Sequence, residues 1–379
     1  MRQRHRLNFM KTSPLPPHDE MVRAMLASDQ SYEGVFYTAV KTTGIFCRPT
    51  CPARKPKPEN VVFYRAAEDA LTAGYRPCLR CKPLDASGIA PEWVTEILQR
   101  VDRAPNRRWT DEDLIQLNVD PLRLRRWFKE HYGTTFHTHI RARRLALALG
   151  SLKQGASIDD TAYDHGYESL SGFRDALQQN LQTTPGAART TPLLLYTRLL
   201  TPLGPMIAMA EDRGLVLLEF VDRPALSAEV EELRSRYGYT SAPGRNTHLD
   251  RVEEEITAYF AGTLQNFSVP LITPGTEFQN RVWTALRRLG YGVTSTYGSV
   301  AESIGSPNAS RAVGHANGQN RISIIIPCHR VIGSDGSLTG YGGGQPRKAF
   351  LLDLERETLH AGDDTLVSAP YRHTQSTLF

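Results

Sequence analysis

The spacing of apolar and polar positions changes period several times along the chain, and each change predicts an element. Tyr32-Glu33-Gly34-Val35-Phe36-Tyr37-Thr38-Ala39-Val40-Lys41 alternates and is rich in β-formers, which predicts a strand or hairpin. A helical segment follows around Ala66 to Ala73, and from about Ala90 to Ala188 the pattern is helical throughout. Pro91 opens an amphipathic helix over 91–98, proline being at home in a first turn. Thr110 caps a helix whose first turn carries Asp111, Glu112 and Asp113. After a turn at Asn118-Val119-Asp120-Pro121, a helix over 122–129 places Leu124 and Phe128 on one face and leaves Arg123, Arg125, Arg126 and Lys129 largely outside. A basic helix over 138–149 joins this unit to a second of the same kind, 157–162 followed by 170–177.

Gly186 to Pro192 reads as a linker. Residues 203–220 then read as two strands around an Asp212-Arg213-Gly214 turn, with helices near 228–237 and 249–261 completing a scaffolding α/β subdomain. From Thr276 the pattern is mostly helical, with Phe278, Val282 and Leu286 on one core-facing stripe and Trp283 close by. A short helix over 297–305 ends in Gly305, and Ser306-Pro307 caps another over 308–317 that is poor in bulky side chains. Small residues let a backbone approach a ligand closely, which suits a DNA groove with Arg311 projecting into it. The run Ile324-Ile325-Ile326-Pro327 then delivers Cys328 beside His329. A thiol needs a nearby base to become the reactive thiolate, so the pair suits a nucleophile and its base. A core cysteine beside a satisfied core histidine would fit the same two residues.

Composition narrows the class. A length of 379 residues suits two to four domains, and 40% hydrophobic with 22% charged residues is ordinary for soluble globular pieces. The net charge of +5 is compatible with a nucleic-acid partner. No apolar run is long enough to span a membrane. The basic start, Met1-Arg2-Gln3-Arg4-His5-Arg6, lacks the apolar core of a secretory signal, so a reducing, cytoplasmic compartment is expected. Proline-bearing residues 1–17 and the stretch 358–379 are expected to be tails.

In such a compartment cysteines serve metals or catalysis, and there are five. Cys47 and Cys51 are separated by three residues and Cys78 and Cys81 by two, spacings that let each pair reach one ion, most simply a tetrahedral Zn²⁺. The ion could merely staple a small domain. The basic residues around it, Arg48, Arg54, Lys55, Lys57, Arg65, Arg76, Arg80 and Lys82, suggest instead that the site faces something anionic. Cys328 stands apart as a lone candidate nucleophile.

Three stretches carry a resemblance. Phe46-Cys47-Arg48-Pro49-Thr50-Cys51-Pro52-Ala53-Arg54, followed by Arg76-Pro77-Cys78-Leu79-Arg80-Cys81, resembles the N-terminal zinc domain of the Ada family of bacterial adaptive-response proteins. The resemblance implies that Cys47 accepts a methyl group from a DNA methylphosphotriester while Cys51, Cys78 and Cys81 complete the sphere of one structural, thiolate-activating Zn²⁺. Four thiolates on Zn²⁺ carry a charge of −2. Methylating one leaves −1 and weakens repulsion from phosphate, an electrostatic switch that would raise DNA affinity. The two helical units resemble the AraC-type double helix-turn-helix domain, with Arg123, Arg125 and Arg126 as DNA-facing residues. The first unit departs from that pattern: it is one residue shorter between Thr110 and Pro121, with Ile115 or Gln116 where a small residue is usual. A helical spacer with a solvated basic face is the plainer alternative for this region.

Residues 192–357 are similar to the O6-alkylguanine-DNA alkyltransferase family, through Asn320 to Val331, Tyr341-Gly342-Gly343-Gly344 and Leu351-Leu352-Asp353-Leu354-Glu355. That similarity implies that Cys328 takes the methyl group of O6-methylguanine or O4-methylthymine, deprotonated through a water by His329, which Glu355 orients. Tyr297 would turn the target phosphate and donate to the base. Arg311 would replace the extruded guanine in the stack, Asn320 would brace the turn, and the loop of Tyr341 and Gly342 would line the pocket.

Taken together, the expected architecture is multidomain α+β. It comprises a zinc-bound α/β domain over 18–87, an all-α double helix-turn-helix domain over 90–189, an α/β subdomain over 192–273 and a helical, winged-helix-like methyltransferase domain over 274–357. The expected activity is that of a single-turnover methylated-DNA–[protein]-cysteine S-methyltransferase in DNA repair, independent of SAM, whose methylated Cys47 turns it into a transcriptional activator. Its expected partners are double-stranded alkylated DNA, promoter DNA and RNA polymerase, with no membrane, in a cytoplasmic, nucleoid-associated monomer. Two alternatives stay open: repair without promoter activation, and a zinc-dependent DNA-binding regulator with no transferase activity.

Overall fold

In a computed structural model, residues 15–81, 83, 91–132, 134–181 and 183–360 are described. The expected tails at 1–14 and 361–379, and Lys82 of the basic group, lie outside the described residues, while residues 358–360 belong to the last helix, Gln345–His360, rather than to a tail.

The N-terminal unit is a four-stranded sheet in the order β3-β1-β2-β4, with β1 at Tyr37–Val40, β2 at Ile45–Cys47, β3 at Val61–Tyr64 and β4 at Arg76–Pro77. The strand expected from Tyr32 begins only at Tyr37. Upstream, Gln30–Tyr32 form a 3-10 turn capped by the Asp29 carboxylate, and Gly34 has φ +79°, a left-handed conformation that breaks a strand and suits glycine. Phe36, Ala39 and Phe46 are fully buried, and the rings of Phe36 and Phe63 meet in a T-shaped pair with centroids 5.1 Å apart.

The middle unit is all helical. Its first half packs Val94, Ile97, Val101, Leu114, Leu124 and Phe128 into one core. Its second half builds another from Leu145, Leu149, Leu152, Ala162, Phe173 and Leu177. The joining helix runs Phe136–Lys153, longer than expected, because Thr135 accepts the Thr138 N–H at 3.2 Å and starts it early. The second core also takes in Ala242, with Leu193 and Leu195 against it, so the helical unit packs directly on the sheet that follows.

That sheet has the order β7-β6-β5-β8, with β5 Leu193–Thr201, β6 Gly204–Glu211, β7 Gly214–Phe220 and β8 Thr240–Pro243. The hairpin over 203–220 forms as expected, whereas β5 lies just beyond the linker expected at 186–192, where the pattern predicts no element. Every residue of β7 is buried. Leu218 of β7 accepts the Ser323 N–H and donates to Arg321 O, each at 2.8 Å, so the chain leading to Cys328 docks onto this strand. The triple-isoleucine run is therefore held rigidly but is neither strand nor helix, and Ile324 turns it with φ +73°. Helix Glu277–Arg287, closed by the reciprocal Thr276 and Gln279 capping box, packs Trp283 beneath helix Ser310–Gly318, where its indole N–H donates to Ala316 O at 2.9 Å.

Leu218 is fully buried at the junction of β7 and the thiol-bearing turn. Leu218→Ala is expected to destabilise this domain by about 2–5 kcal/mol, the cost of a large-to-small change in a packed core, and to lower its calorimetric unfolding temperature.

Candidate functional site

The first thiol cluster is assembled by strand register. β2 and β4 run parallel with Phe46 beside Pro77, and the Cys78 N–H donates to Phe46 O at 2.9 Å, which sets Cys47 alongside Cys78. A tight turn, Cys51 N–H to Arg48 O at 3.2 Å, folds Cys51 back to them. The four Sγ atoms lie within 4.8 Å of one another, with Cys51 and Cys78 at 4.0 Å. Tetrahedral Zn²⁺ with Zn–S bonds of about 2.3 Å needs sulfurs about 3.8 Å apart, so this all-cysteine donor set fits zinc. Cys51 and Cys78 are buried, while Cys47 and Cys81 are half-buried on the outward side.

The basic rim divides in two. Arg54, Lys57, Arg76 and Arg80 are exposed. Lys55, Arg65 and Arg48 are used internally: Lys55 donates to Cys51 O at 3.0 Å, and Arg65 to Val35 O at 3.2 Å. The Arg48 backbone N–H reaches Cys81 Sγ at 3.4 Å, while its guanidinium meets Glu33 at 2.8 Å and Thr50 donates to the same carboxylate at 2.7 Å. Sequence reading passed over Glu33, a buried acid in a basic setting that no local pattern sets apart.

In the helical unit, Arg123, Arg125 and Arg126 are all exposed on helix Pro121–Tyr132. Arg123 stacks over the Trp93 ring at 4.4 Å and Arg125 lies 3.8 Å from Asp111, so these two have local partners that must be exchanged before they could touch DNA. A cleft between the two helix-turn-helix units is lined by Arg108, His137, Arg141, Arg144 and Tyr167.

The second thiol site is built around the turn Cys328–Arg330, a single 3-10 turn that starts at Cys328 straight after Pro327. Asn320 holds it: its side-chain amide donates to Cys328 Sγ at 3.1 Å and to Ile326 O at 2.9 Å, and its carbonyl accepts the Ile322 N–H at 2.9 Å. Burial pushes the Cys328 thiol above its ordinary pKa, although the Asn320 donor opposes this. His329 has no exposed surface, and burial pulls its ring below the usual imidazole range despite Glu355 beside it. Its Nε2 lies 2.9 Å from Glu355 Oε1. Burial alone would raise the Glu355 carboxyl, but His329 and Arg330 hold it far below the usual carboxylate range. An ionised Glu355 therefore accepts the Nε2 proton, which leaves Nδ1 as the lone-pair nitrogen. Nδ1 is buried without a hydrogen-bond partner.

The other expected residues surround this turn. Tyr297 donates to Thr339 O at 3.2 Å, and its ring lies 3.7 Å from where a side chain on Gly314 would begin. Tyr341 is buried, its ring centroid 6.4 Å from that of His329. A Cβ on Gly342 would sit 2.7 Å from the Arg223 guanidinium carbon, so the loop can take only glycine there without a shift. Arg311 is exposed in the first turn of helix Ser310–Gly318. That helix starts two residues later than expected, capped by Ala309 instead of Ser306-Pro307. Four contributors escaped the sequence reading. Arg330 and Tyr259 pair with Glu355, Lys348 donates to the Val331 and Thr339 carbonyls, and Arg223 donates to Asn320 O at 3.0 Å. Only Arg330 stands inside a motif where it could have been noticed.

Comparison with known proteins assigns a family to all four units. Residues 20–84 match the family model "Metal binding domain of Ada", and 115–191 match "Helix-turn-helix domain". Residues 194–273 match the ribonuclease-like domain, and 277–357 the DNA binding domain, of 6-O-methylguanine DNA methyltransferase. The Escherichia coli protein "Bifunctional transcriptional activator/DNA repair enzyme Ada" is 33% identical over 354 residues, 92% of this chain and 99% of that one. The chain belongs to the Ada family. Its C-terminal part is also 45% identical over 164 residues to the methylated-DNA–protein-cysteine methyltransferase of Mycolicibacterium paratuberculosis, spanning 43% of this chain and 93% of that protein. The crystal structure of Mycobacterium tuberculosis OGT in complex with DNA is 44% identical over 43% of this chain and 93% of its own, with a TM-score of 0.38. The multidomain α+β architecture and the four-cysteine zinc domain are those of an Ada-family chain. Among the described residues no helix is long and apolar enough to cross a membrane.

In this Ada-family site, Glu355→Gln removes the charge that balances Arg330 and the acceptor that selects the His329 tautomer. Unbalancing such a pair is expected to cost about 3–5 kcal/mol of stability, seen as a lower unfolding temperature, and to slow single-turnover methyl transfer by about 100-fold or more.

Proposed function

We propose that Cys328 and Cys47 are two one-use methyl acceptors. The chain is a methylated-DNA–protein-cysteine methyltransferase that combines DNA repair with transcriptional activation, as its family does. The observation that carries the residue assignment is the Cys328, Asn320, His329 and Glu355 array, with a neutral imidazole nitrogen left over for a proton.

In the proposed reaction the Cys328 S–H proton passes to His329 Nδ1 through a water, and the sulfur lone pair attacks the methyl carbon of O6-methylguanine. An S–C bond forms as the C–O6 bond breaks, and its electrons leave with the guanine, which regains a proton. Tyr297 turns the target phosphate and donates to the base, Arg311 fills the stack behind the extruded guanine, and Tyr341 and Gly342 line the pocket. O4-methylthymine is read by the same chemistry. The resulting thioether does not hydrolyse, so each molecule acts once.

At the first cluster the Cys47 sulfur takes the methyl carbon of a phosphotriester, an S–C bond forming as the C–O bond breaks and the phosphate leaving as a diester anion, while Cys51, Cys78 and Cys81 remain. When bound, zinc keeps these thiols ionised. Exposed Arg54, Arg76 and Arg80 attract the phosphate backbone. Methylated Cys47 removes one negative charge facing DNA, after which the helix-turn-helix residues Arg123 and Arg125 exchange their local partners for promoter DNA, which exposed Arg126 also meets, and the bound protein engages RNA polymerase. We assign this role to a cytoplasmic, nucleoid-associated monomer.

Mass spectrometry after mixing the full chain with methylated duplex DNA should find one added CH2 on Cys328 and one on Cys47. If neither gains it, the acceptor reading fails and a DNA-binding regulator remains. A reporter gene measured with and without a methylating agent separates repair alone from repair with activation. The pH profile gives a further check. Since burial lowers the His329 pKa and raises that of Cys328, the ring stays neutral and the thiol stays protonated around neutral pH. The transfer rate should therefore be level from about pH 8 down past the ordinary imidazole pKa of about 6.5, and fall only at lower pH as His329 gains its proton. A fall centred at or above that ordinary value would contradict the assignment of His329 as base.

A further inference from the structure

The loop that lines the alkyl pocket is gripped from several sides, and one grip comes from the zinc domain. Beside Gly342, already against Arg223, a Cβ on Gly343 would lie 3.0 Å from the Phe220 ring. Gly344, at φ +91°, faces Ser31 of the zinc domain, where an added Cβ would come within 2.9 Å of Ser31 Cβ. Arg347 closes the arrangement. It is 1% exposed, its guanidinium lies 4.0 Å from the centroid of the Phe220 ring, and it donates to Leu203 O at 2.9 Å and to Gly343 O at 3.2 Å. It also pairs with Asp222 at 3.0 Å, and its Nη2 donates to Gln30 O of the zinc domain at 3.1 Å.

Two further contacts tie the same surfaces together. Gly34 lies against Pro202 so closely that a Cβ would fall 2.0 Å from the Pro202 carbonyl oxygen. Arg65 of the zinc domain sits in the field of Asp353 and Glu357 on the last helix, opposite charges across the seam. The segment that makes these contacts also reaches the metal site, because Glu33 anchors Arg48, whose backbone N–H holds Cys81 Sγ.

We propose that the Gln30–Gly34 turn of the zinc domain is a positioning surface for the Tyr341–Gly344 pocket loop, so that methyl transfer to Cys328 depends on docking of the zinc domain. Ser31 is the positioning residue: it lies against Gly344 and acts through it. The rate effect rests on the reading of Cys328 as acceptor, whereas the docking itself does not.

The test uses the full chain with Ser31→Arg, which puts a bulky cation where Gly344 leaves no room. Rapid-quench transfer from duplex O6-methylguanine should show the saturating rate at Cys328 falling about tenfold, the scale of a small misplacement of a reacting group. The half-saturating DNA concentration should not move, since the Arg311 helix is untouched, and general destabilisation would lower the reacting fraction rather than the rate. Hydrogen exchange of the amides over 341–348 should quicken, while transfer to Cys47 and a zinc content of one per chain report an intact zinc domain. Should Ser31→Arg lose zinc, the wild-type chain stripped by a chelator gives the same information, because undocking must also quicken exchange over 341–348. Unchanged exchange there in both the variant and the stripped chain overturns the proposal. Quickened exchange with an unchanged rate at Cys328 overturns its functional half. Absence of any transfer to wild-type Cys328 sinks the acceptor reading instead.

Discussion

A carboxylate with no exposed surface holds the repair site together. Glu355 Oε1 accepts from Tyr259, His329 and Arg330, and Oε2 from the Gly292 N–H and Arg330. Burying such a charge costs several kcal/mol unless it is paired and its lone pairs are filled, and here Arg330 supplies the pairing and three other donors fill the rest. The last helix, the loop at Gly292, the helix of Tyr259 and the thiol-bearing turn all converge on this one side chain. The same ionised group sets which imidazole nitrogen is free. Stability and reactivity thus share an origin, and neither can be altered at Glu355 without the other.

The two thiol sites offer opposite surroundings. Cys328 is buried among apolar side chains, its thiol held protonated and its conversion left to a neutral neighbour. Cys47 stands half-exposed in a cluster of four sulfurs, where chemistry depends on a cation taking up the negative charge. In the proposed reading, the buried, neutral thiol suits a base delivered into a pocket, and the half-exposed one suits a phosphotriester on the outside of the duplex.

Much of this was legible along the chain, because the informative residues are close in sequence or strictly spaced. Cysteine spacing pointed to zinc, the triple-isoleucine run to a rigid element presenting Cys328 beside His329, and Thr110 to the helix start at Asp111. What stayed hidden depends on distant partners. Glu33 becomes significant only because folding buries it against Arg48, and Tyr259 and Lys348 only because two helices carry them into the site. Strand β5 was missed because Leu193 to Thr201 lacks clean alternation, being covered on one face by the sheet core and on the other by the helical unit. The conformation of Ile324 runs against propensity: a β-branched residue at φ +73° is tolerated only where surrounding contacts impose it.

Strand β8 belongs to two cores, contributing Ala242 to the helix-turn-helix interior while its backbone pairs with β5 of the sheet. The second helix-turn-helix unit and the sheet that carries the Cys328 turn are therefore not two modules on a slack tether. A slack tether would give one site an effective concentration at the other that depends on chain length alone, whereas a shared strand gives it a direction and a fixed reach.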